Sequence, residues 1–170
     1  MERWDLYDQN RKPLNRTIVR GEKKQAGEYH TVVEVWTVNS NGEILVTLRD
    51  PRKKDYPDKW ENTGGSALAG ETSQTAAVRE LYEETGIIAT EDELILLGTY
   101  QEESEFVDIY LLKRDNLIEG IVLQVGETVD AKWITPETLD KMIRNFELAL
   151  PTGLRFQHVR SEFERLLHLV

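Results

Sequence analysis

A chain of 170 residues, 39% hydrophobic and 31% charged, has the size and composition of a single globular domain with its own core. Its net charge of −10 argues against a duplex nucleic acid partner, which calls for a basic patch, though not against a small phosphorylated ligand held through metal ions. The absence of cysteine excludes thiol catalysis, disulfides and thiolate metal sites.

No apolar run approaches the ~20 residues of a membrane span. The polar start MERWDLYDQNRK lacks the apolar core of a secretory signal, so no membrane and a cytoplasmic, bacterial-type enzyme are expected.

Residues 3–19 read as two short extended segments around the polar turn DQNRKP. HTVVEVWTV (30–38) and EILVTLRD (43–50) are strand-like and separated by Asn41-Gly42, which predicts a two-residue hairpin. A basic, proline-containing loop, PRKKDYPDKW (51–60), leads to the Gly64-Gly65 pair. Thr72 or Ser73 offers an N-cap hydroxyl for a helix over Gln74–Thr85, and Gly86 stands where a left-handed residue ends one. ELILLGTY (93–100), EFVDIYLLKR (105–114) and VDAKWIT (129–135) are further strand candidates. Thr135-Pro136-Glu137 opens a helix, with a hydroxyl cap and proline at the first position. A last helix is expected over about 152–168, with Leu154, Phe156, Val159, Phe163, Leu166 and Leu167 as its apolar stripe. Strands, a helix, more strands and closing helices predict an α/β fold, a mixed sheet sandwiched between helices, with 1–170 as one domain.

On the helix after the glycines, Glu80, Glu83 and Glu84 stand at i, i+3 and i+4 and share one face, beside an apolar stripe of Ala77, Val78 and Leu81. A glutamate triplet is ordinarily a solvated face. Here, like charges at these spacings cost roughly 0.2–0.5 kcal/mol per pair. Arg79 can partner Glu83, but no cation four residues away offsets Glu80 or Glu84. A hard divalent cation would turn the repulsion into ligation, so the cluster reads as a metal site.

The run Gly65, five residues, Glu71, seven residues, Arg79-Glu80-Leu81-Tyr82-Glu83-Glu84-Thr85-Gly86-Ile87 matches the Nudix box over 65–87 at every defining position. Chance would produce it on the order of once in 10⁷ such chains. The chain resembles the Nudix hydrolases, and the similarity of layout extends over roughly residues 30–150, with about 1–28 as an N-terminal extension. The resemblance implies an α/β/α Nudix fold and hydrolysis of a diphosphate linkage in a nucleoside diphosphate joined to another group X, with Mg²⁺ or Mn²⁺ as cofactor. By position, Glu83 and Glu84 would be the principal metal ligands, Glu80 a ligand or general base, and the Gly64 carbonyl an inner ligand. Arg79 would orient Glu71 and the helix carboxylates. In several family members an acidic residue lies six positions before a tryptophan, and Glu127 stands so before Trp133 as a further ligand or base; Glu102, Glu103 and Glu105 are rivals. A homodimer is common in the family, and no feature of the sequence fixes one.

For substrate contacts, Arg49 at the end of its strand and Trp60 as a stacking surface are the candidates. Lys53, Lys54, Tyr100 and His30 read first as surface or structural residues. Thr63 stands where many members carry proline, which with the opening RWDLYDQNRKPL resembles the branch near isopentenyl diphosphate isomerase. That enzyme's catalytic cysteine is missing here, which leaves isomerase chemistry as an alternative beside the hydrolase, together with a non-catalytic ligand-sensing module. The family's downstream substrate markers are absent, because 102–105 is Glu-Glu-Ser-Glu.

Overall fold

The structure, a computed structural model, describes residues 1–167. The N-terminal segments form a separate antiparallel hairpin, β1 (Arg3–Tyr7) and β2 (Pro13–Val19). β3 (His30–Val38) follows, and all its residues except Val32 are buried. Its alternation divides it between two cores, as the period of two in a strand requires: Val33 and Val35 face one, Trp36 and Val38 the other.

The reversal from β3 into β4 (Ile44–Arg49) is wider than the two-residue Asn41-Gly42 turn that the sequence predicts. That turn type needs positive φ at both central residues. Gly42 has φ 74, and Asn41 is not among the positive-φ residues. Instead the Gly42 N–H donates to the Asn39 carbonyl at 3.0 Å, while Asn39 Oδ1 accepts the N–H groups of Asn41 and Glu43.

Beyond the turn, β3 and β4 separate. Only Val38 pairs with Ile44, and further along β3 takes β6 (Thr63–Ser66) as its antiparallel neighbour, Glu34 opposite Gly64. β4 turns to β5 (Trp60–Glu61) and to β9 (Thr128–Ile134). A wedge therefore opens between the two parts of the sheet. On its other edge β3 runs parallel to β8 (Glu105–Lys113) over its whole length, and β7 (Ile95–Gln101) closes that side. Glu93, expected in a strand, belongs to a 3₁₀ turn capped by Thr90, so β7 begins at Ile95.

Helix α1 (Ser73–Thr85) covers one face of the sheet through Ala76, Ala77 and Leu81. Helices α2 (Pro136–Arg144) and α3 (Leu150–Leu167) cover the other, where Trp36 packs against Phe156 and Phe163 at ring separations of 4.8 and 6.3 Å. The result is the expected α/β/α arrangement. Leu154 departs from the predicted stripe: it is 54% exposed, on the outer face of α3. His168, the end of the predicted helix, lies outside the described residues. Among the described residues, no helix is long and apolar enough to cross a membrane.

Candidate active site

Both ends of α1 are fixed by local chemistry. Thr72 Oγ1 accepts the Thr75 N–H at 3.0 Å, and Gly86, at φ 71, returns its own N–H to the Tyr82 carbonyl. The glutamate face is thereby aimed at β6. Glu84 is buried, and its Oε2 accepts the Gly64 N–H at 3.3 Å. Gly65 has no room for a side chain: a Cβ there would stand 2.2 Å from the Glu80 carboxyl. At Gly64 it would stand 2.7 Å from the Val33 carbonyl oxygen. The glycine pair lets β6 lie against β3 on one side and the helix carboxylates on the other.

Arg79 organises the cluster. Nε and Nη2 grip both oxygens of Glu71 at 2.8 and 2.9 Å, Nη1 reaches Glu80 at 2.8 Å and Glu83 at 3.3 Å, and Nη2 also bonds the Ser66 carbonyl. Glu80, which helical spacing leaves without a cation, thus has one in its immediate neighbour, a contact that the i+4 rule does not count. The Arg79 hydrogen bonds hold the Glu71 carboxyl below its ordinary range, and burial pushes Glu80 up against the pull of Arg79. Glu84 receives no such help. Burial, then the charges of Glu61 and Glu80, push its carboxyl well above the usual range, with the Gly64 N–H as the opposing contact.

A cleft of about 290 Å³ lies over this face, lined by Gly64, Glu80, Glu83, Glu84, Glu127 and Arg20 among others. Glu127 pairs with Lys53. The donor set is all oxygen, as Mg²⁺ or Mn²⁺ prefers. Among the described residues, no three Asp, Glu or His side chains already converge as ligands. Glu80 and Glu83 lean on Arg79 and Glu127 on Lys53, so ligation requires those carboxylates to turn into the cleft.

A second cavity, of about 380 Å³, shares Gly64, Gly65 and Ser66 with the first and fills the wedge where β3 and β4 part. Its charged lining includes Glu34, Arg49, Glu61 and Arg155. Arg49 is at this cavity, held by Glu61 Oε2 at 2.7 Å and by the Asp55 carbonyl. Trp60 lines neither cavity; it packs on the α2–α3 side of the core, with the Lys132 ammonium 3.8 Å over its ring. Of the acidic loop, Glu102 is bound to Arg155, Glu105 reaches the second cavity and Glu103 is exposed. Lys54 is exposed, and Tyr100 packs against the core. His30 is buried between Lys24 and Ser66, and burial lowers its pKa to about 4.

In the second cavity, sequence reasoning missed Glu61, Glu34 and Arg155. Glu61, one residue beyond Trp60, is pushed up to about 7 by burial, with Glu34 adding to the rise and Arg49 opposing it. Glu34, buried in the middle of β3, is met by Arg155 at 2.8 Å and Asn62 at 3.4 Å. A glutamate set between Val33 and Val35 was the available signal.

A family model described as NUDIX domain matches residues 28–151. An uncharacterized Nudix hydrolase of Listeria monocytogenes is 38% identical over 143 residues, covering 84% of this chain and 85% of that protein. An isopentenyl-diphosphate Delta-isomerase of Paenarthrobacter aurescens is 27% identical over 152 residues, 81% of each chain. The crystal structure of a Deinococcus radiodurans protein superposes with a TM-score of 0.75 at 26% identity, over 94% of this chain and 98% of that one. With the box, the fold and these likenesses in agreement, the chain belongs to the Nudix family and is a hydrolase of pyrophosphate bonds.

Proposed function

We propose that the protein is a Mg²⁺- or Mn²⁺-dependent hydrolase that cleaves the diphosphate linkage of a nucleoside diphosphate joined to a polar group X, with 1–170 as a single catalytic domain. One observation carries this reading. The most buried carboxylate of the cluster, Glu84, faces Glu61, Glu80 and Glu127 with a single backbone N–H as its partner. Such a carboxylate is relieved either by a proton, which the upward push on its pKa reflects, or by a cation, and only the cation engages its neighbours at the same time.

Glu83, Glu84, Glu80 and the Gly64 carbonyl would hold the metal. When bound, a divalent ion makes the attacking water more acidic and neutralises charge on the non-bridging phosphate oxygens. The chain's own residues do the rest. Arg79, braced by Glu71, fixes the directions of Glu80 and Glu83. Glu80 or Glu127 takes the proton from the water. Group X occupies the neighbouring cavity, among Glu34, Arg49, Glu61 and Arg155.

The isomerase likeness favours a second reading, allylic diphosphate isomerisation. Two features stand against it: the chain has no cysteine, and a prenyl tail would meet five charged side chains in the adjoining cavity. Product analysis separates the readings. Nucleotide sugars, dinucleotides, nucleoside triphosphates and prenyl diphosphates are incubated with Mg²⁺ and either wild type or Glu83→Gln. Metal-dependent cleavage of a polar class, lost in the variant, is the expected result. An isomerised prenyl diphosphate with its phosphates intact would establish the second reading, and tight binding without any turnover would establish a sensor.

A further inference from the structure

The cleft over the α1 glutamates has a wall that the family domain does not supply. Glu2, Trp4 and Arg20 of the N-terminal hairpin line it beside Glu80, Glu83 and Glu84, and the hairpin precedes the matched residues 28–151. Arg20 follows the last residue of β2. The Glu22 N–H donates to the Val19 carbonyl at 3.0 Å and Gly21 has φ 93, so Arg20 and Gly21 form the centre of a tight turn whose third residue must be left-handed.

The position of this turn is set by contacts to the rest of the molecule. The Arg20 N–H donates to the Glu2 carbonyl at 3.0 Å, and the Trp4 ring stacks on buried His30 at 4.3 Å. The Ala69 N–H donates to the Arg3 carbonyl at 2.8 Å and the Gly70 N–H to Asp5 Oδ2 at 2.7 Å. These last two bonds tie the hairpin to the loop that leads into α1.

The two guanidiniums lining the cleft are not equivalent. Arg79 is committed to Glu71, Glu80, Glu83 and the Ser66 carbonyl. Among the described residues, the Arg20 side chain has one hydrogen bond, Nη1 to Glu2 Oε2 at 3.0 Å, with 61% of the Arg20 side chain and 46% of the Glu2 side chain exposed. Such an exposed pair holds weakly. A planar guanidinium fork matches a phosphate, with several oxygens to offer, better than one carboxylate oxygen.

We propose that Arg20 is a substrate-binding residue: it leaves Glu2 and clamps the diphosphate lying in the cleft, which makes the N-terminal hairpin part of the active site. The proposal rests on the diphosphate reading above and adds to it a contact from outside the family domain.

The test is calorimetric titration of methylenediphosphonate, in Mg²⁺ buffer, into wild type, Arg20→Ala, Arg20→Lys and Glu2→Gln, with steady-state kinetics on whichever diphosphate wild type cleaves. Arg20→Ala is expected to weaken binding about 10-fold and to raise KM more than it lowers kcat. Arg20→Lys, which keeps the charge without the fork, falls between. Glu2→Gln binds as well as wild type or better, because it frees Arg20. A purely structural ion pair predicts the opposite, that Arg20→Ala and Glu2→Gln fail together. That outcome, unchanged binding by Arg20→Ala, or no binding by wild type overturns the proposal. Turnover by wild type with an unaltered KM in Arg20→Ala removes the clamp alone. Arg20-dependent binding without any turnover keeps the clamp and removes the hydrolase.

Discussion

Arg79 and Arg155 each gather three carboxylates, Glu71, Glu80 and Glu83 around the first and Glu34, Glu102 and Glu105 around the second, but they leave different charges behind. In the Arg155 cluster the deepest carboxylate is the one served: Glu34, 3% exposed, takes Nη1 at 2.8 Å. In the Arg79 cluster the served carboxylates are the shallower ones, and Glu84, 8% exposed, is left to a backbone N–H. The Arg155 cluster is closed by direct ion pairs, although burial still raises the Glu34 pKa against the pull of Arg155, and the Arg79 cluster leaves its deepest carboxylate without a cation. A closed cluster holds two elements together; an open one beside a cleft is where the proposed cation would be held. Function is legible here as an imbalance rather than as a count of charges.

The largest effect that would break this contrast is at the open site. Glu84→Gln is expected to lower kcat on the order of 10³-fold, several kcal/mol of transition-state stabilisation. Its stability to urea in metal-free buffer at pH 7 should rise, because burial and neighbouring carboxylates hold the Glu84 pKa up and ionisation there works against the fold. Activity and stability falling together would make Glu84 a structural residue.

At the closed site the order reverses. Arg155→Ala leaves Glu34 buried without its cation, with only the Asn62 amide beside it, so that it must carry an uncompensated charge or take up a proton, and should cost about 3–5 kcal/mol in denaturant unfolding. A loss below about 1 kcal/mol, the range of exposed pairs, would show that this cluster is not closed. Arg79→Ala sharpens the comparison. Its carboxylates lie beside the cleft, so its main effect should be a fall in kcat of about 10–100-fold, as for groups that orient ligands, with a smaller stability loss than Arg155→Ala.

A further effect, comparable to that of Arg79→Ala, concerns pH. The Glu61 carboxyl is raised from 4.5 to about 7, so the folded protein binds the proton more tightly than the unfolded chain. That stability is present in full below pH 4.5 and is lost as pH rises through about 7. Glu61→Gln removes the dependence. The stability of the variant relative to wild type should therefore climb by about 2–3 kcal/mol between these limits, read as thermal midpoints across the pH range. A flat difference would show that Arg49 neutralises Glu61 completely.

What the sequence made visible was local. Thr72 and Gly86 bound α1, Thr135-Pro136 opens α2, and the box fixes Glu80, Glu83 and Glu84 on one face, all within a few residues of one another. What it hid was distant or competitive. Arg155 and Glu34 are 121 positions apart, and no periodicity links them. Arg49 looked free to bind phosphate because nothing nearby in the chain announced Glu61, on the strand beside it, as a partner. The split of β3 between β4 and β6, which creates the second cavity, follows from pairing across the sheet and leaves no mark on β3 itself. The hairpin turn failed for a smaller reason: the Asn39 side chain captured two backbone N–H groups and widened the reversal.

Gly65 has a consequence for how this sequence can vary. Its backbone needs no glycine-only conformation, so the constraint is volume, and the volume belongs to Glu80. An alanine at 65 need not unfold the chain, because a glutamate tip can move, but it would push that carboxyl off Arg79 and out of register with Glu84. Positions 65 and 80 are therefore one heritable unit. A lineage that gains a methyl at 65 must shorten 80 to aspartate or lose the carboxylate's place, and the two substitutions should be nearly silent only together.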